Sequence, residues 1–314
     1  MFVELGSALY KAFLKKDQSV NVPSEYVDIV RKVMNKIGWS TQVNGITMKG
    51  SAPAIPENKK VMVGLSGGMD SVYLMHKLKE QGYEVYAVHV AGLNKQSLKF
   101  EERSARETAQ QAGAKYTLVK FSAPKQAFPD NPFKNQMILS LMLDIGIQRG
   151  IYRYAIGSDW TTPLSEAVVG FTITDSVEVN RSFWEGIKNR FNQAELVFIP
   201  DDVKKFDRIT YLYDKGVLNS VSSCVSPFRF RDSLHKKNVE KYGIKLMRGR
   251  CGSCYKCAME YILLVESGRI KKDTAFYNHS WEVLAKSKTA HRPDLFALSL
   301  PIEKRMRNLK NYGS

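Results

Sequence analysis

The sequence contains few cysteines and no long apolar segment, and each absence excludes a class of protein. Four cysteines among 314 residues are too few for a small secreted scaffold held by disulfides. No stretch approaches the ~18 uninterrupted apolar residues of a membrane-spanning helix. Residues 1–17 also lack the apolar core of a secretory signal. We therefore expect a cytoplasmic protein that does not enter a membrane.

Acidic residues are fewer than basic ones: the sequence has 31 Asp and Glu but 47 Lys and Arg, which gives a net charge of +16. Such an excess favours polyanionic partners, among them nucleotides, nucleic acids and anionic surfaces. A basic surface that serves only solubility is the other interpretation.

Strands and helices alternate through the middle of the chain. We predict strands over residues 60–65, 84–90, 116–121, 152–157 and 195–199, and helices over residues 70–81, 97–112, 135–149 and 203–215. Short strands that alternate with helices of this length are typical of right-handed βαβ units on a parallel sheet. The predicted fold class is therefore α/β, with a Rossmann-like parallel sheet and helices on both faces.

Two further regions flank this α/β domain, which we place at residues 59–219. Residues 1–58 are predicted to form a helical N-terminal extension and linker. It contains helices over residues 2–14 and 25–37 and a short strand near residues 45–49. Residues 220–314 are predicted to form a helical, basic region that carries all four cysteines.

A glycine turn joins the first strand of the alternation to its first helix, with the sequence Ser66-Gly67-Gly68-Met69-Asp70-Ser71. Glycines at the carboxyl end of a strand let backbone N–H groups approach a ligand, and the following helix adds its positive dipole end, so phosphate is the expected guest. The hydroxyls of Ser66 and Ser71 add donors, and Asp70 can orient Mg²⁺. The turn matches neither the Walker A loop nor the Gly-x-Gly-x-x-Gly dinucleotide motif.

The cysteines form a second motif, which consists of Cys224 and the run Cys251-Gly-Ser-Cys254-Tyr-Lys-Cys257. Four thiolates with gaps of two residues suit a closed, tetrahedral, structural zinc site. An iron–sulfur cluster, a catalytic persulfide on one cysteine, and buried free thiols are the alternatives.

Both motifs resemble those of a known family. The glycine turn matches the SGGxDS signature of the PP-loop ATP pyrophosphatases in full. Ser223-Cys224 and the downstream cysteine run are similar to the QueC family, the 7-cyano-7-deazaguanine synthases. Weaker matches lie at residues 134–140 and 156–159, and the resemblance covers about residues 59–268. After the last cysteine, Ala258-Met259-Glu260 replaces the Leu-Arg of that family.

The resemblance implies an ATP-dependent ligase that releases AMP and pyrophosphate, with Mg²⁺ and a structural Zn²⁺ as its metals. The substrates would be ammonia and an acid similar to 7-carboxy-7-deazaguanine. The residues that would bind ATP are Ser66, Gly67, Gly68, Asp70, Ser71, Gly157 and Asp159. Asp70, Ser71 and Asn135 would serve catalysis, with Asn135 and Asp159 lining the acceptor pocket. Zinc would be bound by Cys224, Cys251, Cys254 and Cys257.

Two other functions stay open at this stage. The net charge and the terminal extensions favour an enzyme that modifies a base within tRNA or DNA, and a nucleotide-sensing module without catalysis is the second alternative. The oligomeric state is open, with a homodimer as one option. Residues 175–181 are predicted to be a solvated loop, although their carboxylates could instead face the pocket. The run Phe228-Arg229-Phe230-Arg231 would either contact a nucleotide or nucleic acid, or pack around the metal.

Overall fold

The structure, a computed structural model, describes residues 19–36, 38, 41–47, 55–92, 98–120, 133–158, 177–188, 195–224 and 228–286. It divides into two compact units. The first is drawn from Met1–Ser66, Asp70–Leu98 and Ala109–Asp201, and the second from Gly67–Met69, Lys99–Thr108 and Asp202–Ser314. The domain boundaries expected at residues 58 and 219 stay predictions.

Strands and helices alternate as expected from the sequence. The strands are β1 (Val20–Pro23), β2 (Val43–Ile46), β3 (Lys60–Gly64), β4 (Glu84–Ala91), β5 (Lys115–Lys120), β6 (Arg153–Ile156) and β7 (Glu195–Val197). The helices are α1 (Val27–Lys36), α2 (Met69–Glu80), α3 (Leu98–Gln111), α4 (Lys134–Gln148), α5 (Val177–Lys188), α6 (Lys205–Asp214), α7 (Phe228–Tyr242), α8 (Tyr255–Glu266) and α9 (Thr274–Lys286).

Five strands of the first unit form one parallel sheet in the order β5-β4-β3-β6-β7. This arrangement confirms the predicted α/β fold class. The chain builds outward from β3 through β4 to β5, and then returns to the other side of β3 to add β6 and β7. In open parallel sheets, ligands bind outside the carboxyl ends of the strands at this point of reversal. The fold therefore directs attention to the segments that follow β3 and β6.

The N-terminal part of the first unit contains a pair of strands, of which the sequence predicted only the second. Strands β1 and β2 form a parallel two-stranded sheet in which Val20 is opposite Val43. The helix expected over residues 25–37 is α1, and the strand expected near residues 45–49 lies slightly earlier, as β2. Four-residue strands carry little periodic signal, and the proline that ends β1 resembled a helix start. The helix expected over residues 2–14 lies outside the described residues.

Helix α5 corrects the prediction of a solvated loop at residues 175–181, because the chain is helical from Val177 onward. Residues 175 and 176 lie outside the described residues. Helix α5 buries the apolar side chains of Val179, Phe183 and Trp184. The ring of Tyr26 stacks on Phe183 with 5.3 Å between centroids. This tertiary packing stabilises a helix whose local sequence favours a turn.

The second unit is mainly helical, as expected for the cysteine-bearing region. Helix α8 packs against both α6 and α9, and Trp281 and Phe276 of α9 are fully buried. Among the described residues, none of the helices is long and apolar enough to span a bilayer.

Candidate functional site

The glycine turn lies at the carboxyl end of β3, as predicted. The Ser66 backbone N–H donates to the Ser71 hydroxyl at 3.2 Å, and the two hydroxyl oxygens are 3.0 Å apart. Ser71 is buried on the first turn of α2, while Ser66 is exposed. Ser71 therefore supports the turn from its buried side, while Ser66 lies at the surface.

Gly67 has a conformation and surroundings that suit only glycine. Its φ is +76°, in the left-handed region. A Cβ there would lie 2.8 Å from the Ala105 backbone nitrogen and 2.9 Å from the Ser104 Cβ. The Gly67 carbonyl accepts hydrogen bonds from the Ser104 hydroxyl at 3.0 Å and from the Ser222 N–H at 2.7 Å. These contacts hold the first glycine of the turn in one backbone conformation.

Gly157, which follows β6, brings that strand end against the start of α2. A Cβ on Gly157 would lie 2.4 Å from the Ser71 backbone nitrogen and 2.7 Å from the Asp70 carbonyl carbon. Asp70 is partly exposed in the first turn of α2. The residues after β3 and those after β6 therefore meet where the strand order reverses, which is the expected place for a ligand.

The structure describes one of the two residues predicted to line the acceptor pocket. Asn135 is partly exposed on the first turn of α4, a helix that begins at the carboxyl edge of the sheet. Asp159 lies outside the described residues. His89, which the sequence analysis did not assign to the site, is buried, and its Nδ1 lies 2.8 Å from the Leu65 carbonyl oxygen. His89 therefore has a structural contact at the end of β3.

A buried chain of polar side chains, which no sequence pattern predicted, lies at the same edge of the sheet. The Gln136 side-chain amide donates to Asn180 Oδ1 at 2.9 Å, and Asn180 Nδ2 donates to the Ser158 hydroxyl at 3.2 Å. These residues belong to α4, to α5 and to the segment after β6. No sequence signal joins residues so far apart, although Gln136 directly follows the predicted site residue Asn135.

The four cysteines converge in the second unit. Their sulfur atoms all lie within 4.8 Å of one another. Cys251 and Cys257 are separated by 3.9 Å between sulfurs, and so are Cys224 and Cys254. The pKa values of Cys254 and Cys257 are both raised above that of an ordinary thiol. The largest cause is hydrogen bonding to Cys224, and the second is hydrogen bonding to Cys251. Four crowded thiols do not ionise together without a cation, and a metal ion would replace their protons.

Neighbouring side chains fix the backbone of this cluster. Asn238 of α7 donates to the Cys251 carbonyl at 2.7 Å, and Arg231 of the same helix donates to the Cys224 carbonyl at 3.2 Å. Gly252 turns the chain between the first two ligands of the run with a φ of +74°. Cys254 precedes α8 and Cys257 lies in its first turn, where the helix dipole favours thiolates.

A buried ion pair lies close to the cysteines. Arg250 and Glu260 are joined at 2.6 Å, and each side chain is only 3% exposed. The Ser223 hydroxyl donates to Glu260 at 2.7 Å. Arg250 also donates to the carbonyls of Val221 and Leu218, at 2.6 and 3.1 Å. Glu260, which departs from the QueC pattern, therefore neutralises an arginine that would otherwise be buried alone.

Part of the chain matches a known protein family. The family model described as queuosine biosynthesis protein QueC matches residues 60–143 of this chain. The matched segment begins at β3 and contains the complete glycine turn. This match confirms the QueC-like, PP-loop character of the segment. No curated protein matches the chain.

Among solved structures, the chain is similar to the U34-tRNA thiolase NcsA from Methanococcus maripaludis with its 4Fe–4S cluster. The two chains share 14% sequence identity, and the alignment covers 89% of this chain and 78% of the thiolase. The TM-score is 0.29, too low for this likeness to support an inference about function or cofactor.

Alanine at Gly67 should be more damaging than alanine at Gly82, which follows α2. Both glycines are left-handed, with φ of +76° and +83°, so both variants carry the same conformational cost of about 1–2 kcal/mol. Of these two glycines, only Gly67 has atoms of the described residues near the added Cβ. We expect Gly67→Ala to lower the free energy of unfolding by a further ~1–3 kcal/mol. Urea denaturation of the two variants measures this difference, and equal losses would show that Gly67 is not sterically constrained.

Proposed function

We propose that this protein is an ATP-dependent enzyme that adenylates a carboxylic acid and then adds ammonia, releasing pyrophosphate and AMP. The reaction would be similar to that of 7-cyano-7-deazaguanine synthase. The observation that carries the proposal is the complete SGGxDS turn at the point of strand reversal, within the segment that matches QueC. In Walker-type loops, a lysine contacts the phosphates of ATP. This turn contains no lysine and would bind phosphate in a different way.

In the proposed reaction, the turn binds the phosphates of ATP. The N–H groups of Gly67 and Gly68, the start of α2 and the Ser66 hydroxyl would bind the pyrophosphate portion. Ser71 would act mainly by holding Ser66, in keeping with its two contacts to that residue. Asp70 would assist by orienting the Mg²⁺ that accompanies ATP. When bound, that Mg²⁺ would neutralise part of the phosphate charge. Gly157 would allow β6 to approach the same phosphates.

The proposed reaction requires neither an oxidant nor a reductant. A carboxylate oxygen attacks the α-phosphorus of ATP, and pyrophosphate leaves. Ammonia attacks the acyl carbon, AMP leaves, and the nitrogen loses a proton to give the amide. For a nitrile product, the amide oxygen attacks the α-phosphorus of a second ATP and pyrophosphate leaves; loss of AMP, which takes the amide oxygen with it, and of two protons from the nitrogen then gives the nitrile. The contribution of the protein is positioning and stabilisation of developing charge, with Asn135 and Asp159 proposed for the acceptor pocket.

We also propose that the four cysteines hold a single structural Zn²⁺. Tetrahedral zinc with Zn–S bonds of about 2.3 Å places its sulfurs about 3.8 Å apart. The observed separations of 3.9 Å fit that spacing. A 4Fe–4S cube attaches each thiolate to a different iron, which requires sulfurs much further apart than these. Zinc in this position would fix the start of α8 and take no part in the reaction.

A base within tRNA or DNA is the second candidate substrate, in place of a free acid. The supporting observation is a set of exposed lysines on α7 and just after it, at Lys236, Lys237, Lys241 and Lys245. Together with the net charge of +16, they form a surface suited to a phosphate backbone. Phe230 at the start of α7 is 49% exposed and could stack on a base. A catalytically inactive nucleotide sensor is the remaining alternative.

Metal analysis tests the zinc assignment. Protein purified under reducing conditions should contain about one zinc per chain. Cys254→Ser should abolish zinc retention, because it leaves three thiolate ligands, while Ser233→Ala, which alters an exposed hydroxyl on α7, should retain it. Elemental analysis of the three proteins gives the answer. Iron and sulfide in a brown protein would contradict the assignment.

Product analysis tests the reaction. The protein is incubated with ATP, 7-carboxy-7-deazaguanine and ammonium, and nucleotides and heterocycle are resolved by mass. We expect AMP, pyrophosphate and an amide or nitrile. Asp70→Ala should reduce turnover by about 100-fold or more with unchanged metal content. Asp28→Ala, which also removes a carboxylate from a helical first turn, serves as the control.

Each other outcome of that experiment is informative. ADP in place of AMP would contradict the proposed mechanism. Turnover that requires added tRNA or DNA would establish the second candidate. Nucleotide binding without turnover of any acid or nucleic acid would identify a sensor.

A further inference from the structure

The polar chain of Gln136, Asn180 and Ser158 has an unusual environment for side chains of this type. Their exposures are 1%, 0% and 2%. Gln136 and Asn180 lie in the first turns of α4 and α5, and Ser158 lies two residues beyond β6. In a parallel sheet, all three of these positions are at the carboxyl edge. Three buried polar groups thus meet at the edge where such folds bind ligands.

One oxygen atom among these three polar side chains has no hydrogen-bond partner in the part of the protein that the structure describes. Gln136 Oε1 is buried and accepts no hydrogen bond from any residue that the structure describes. The nearby Ser140 hydroxyl does not satisfy it, because Ser140 donates to the backbone carbonyl of Gln136 at 2.7 Å. Buried acceptors are nearly always paired in native proteins, and an exception calls for a ligand or a water molecule. Within the described residues, Gln136 Oε1 is thus a buried acceptor whose donor a ligand or a water molecule would supply.

The backbone links this acceptor to the phosphate-binding turn. Ser158 directly follows Gly157, and Gly157 lies against the backbone of Ser71. Gln136 also directly follows Asn135, the residue proposed for the acceptor pocket. Gln136 is thus connected, through Asn180 and Ser158, to the segment that contacts the glycine turn.

We propose that Gln136 is a specificity residue of the acceptor site. Its Oε1 accepts a hydrogen bond from an N–H group of the acid whose carboxylate reacts. Asn180 orients the amide by accepting from its N–H side, and Ser158 in turn holds Asn180 by accepting from its amide nitrogen. This inference rests on the proposed function, since it names the residue that would select the acid. A buried acceptor discriminates strongly, because a ligand without the N–H group leaves it unpaired.

The position of Asn180 depends in turn on the N-terminal region, which has no counterpart in the QueC resemblance. The Tyr26 hydroxyl donates to the Phe183 carbonyl at 2.9 Å. A Cβ on Gly186 would lie only 2.1 Å from the Tyr26 ring, so the ring packs directly on the α5 backbone. Residues around α1 therefore hold α5, and α5 holds the amide that orients Gln136.

Direct binding measurements on the full chain test the proposal without relying on turnover. The probe is 7-carboxy-7-deazaguanine, titrated calorimetrically, with ATP binding measured separately. Gln136→Met removes the acceptor at similar volume and should weaken probe binding by about tenfold or more, with ATP affinity unchanged. Gln136→Glu, which keeps an acceptor oxygen, should restore most of the loss. Ser140→Ala, a buried polar change on the same helix, should bind the probe like the unaltered protein.

Equal probe affinity for Gln136→Met and the unaltered protein would overturn the proposal and leave an ordered water as the partner of Gln136. Failure of the unaltered protein to bind the probe would also overturn it. If Gln136→Met does not fold, the unaltered protein is tested with a second ligand, 2-naphthoic acid, which is a planar acid without N–H groups. The proposal predicts that the protein binds the probe at least tenfold more tightly than 2-naphthoic acid. Equal affinities would contradict the proposal. The adenylation proposal is judged separately, by AMP formation across a panel of acids.

Discussion

A backbone contact between the end of β6 and the start of α2 determines the arrangement of the candidate site. Gly157 carries no side chain, and any Cβ there would collide with the Ser71 nitrogen at 2.4 Å. This approach brings the segment after β6 beside the turn after β3, where the order of strands reverses. The glycine turn, which we propose to bind phosphate, meets the segment after β6 at that contact, and the buried amides of α4 and α5 are linked to the same segment through Ser158.

The parts of the structure that the sequence predicted are those encoded by local patterns. The strand, glycine turn and helix around residues 60–81 follow one another in sequence, so composition and spacing suffice. The cysteines were also predictable, because a run with two-residue gaps constrains where its sulfurs can point. The QueC match to residues 60–143 covers the most strongly patterned part of the chain.

The parts that the sequence did not reveal depend on contacts between distant residues. Helix α5 follows a segment rich in Thr, Gly and Ser, and its stability comes from Tyr26, 157 residues before Phe183. The contact between Gln136 and Asn180 spans 44 residues. Glu260 looked like a simple departure from a family motif until its pairing with Arg250 gave it a structural reason. Single-sequence patterns carry no information about such pairings.

The central claim is that this fold cleaves ATP between its α- and β-phosphates to activate an acid. Pyrophosphate exchange tests that step in isolation: the protein is incubated with ATP, radiolabelled pyrophosphate and 7-carboxy-7-deazaguanine, with ammonium omitted. The account predicts that label enters ATP and that omission of the acid abolishes the exchange. Acid-dependent entry of labelled inorganic phosphate into ATP, with none from pyrophosphate, would contradict it.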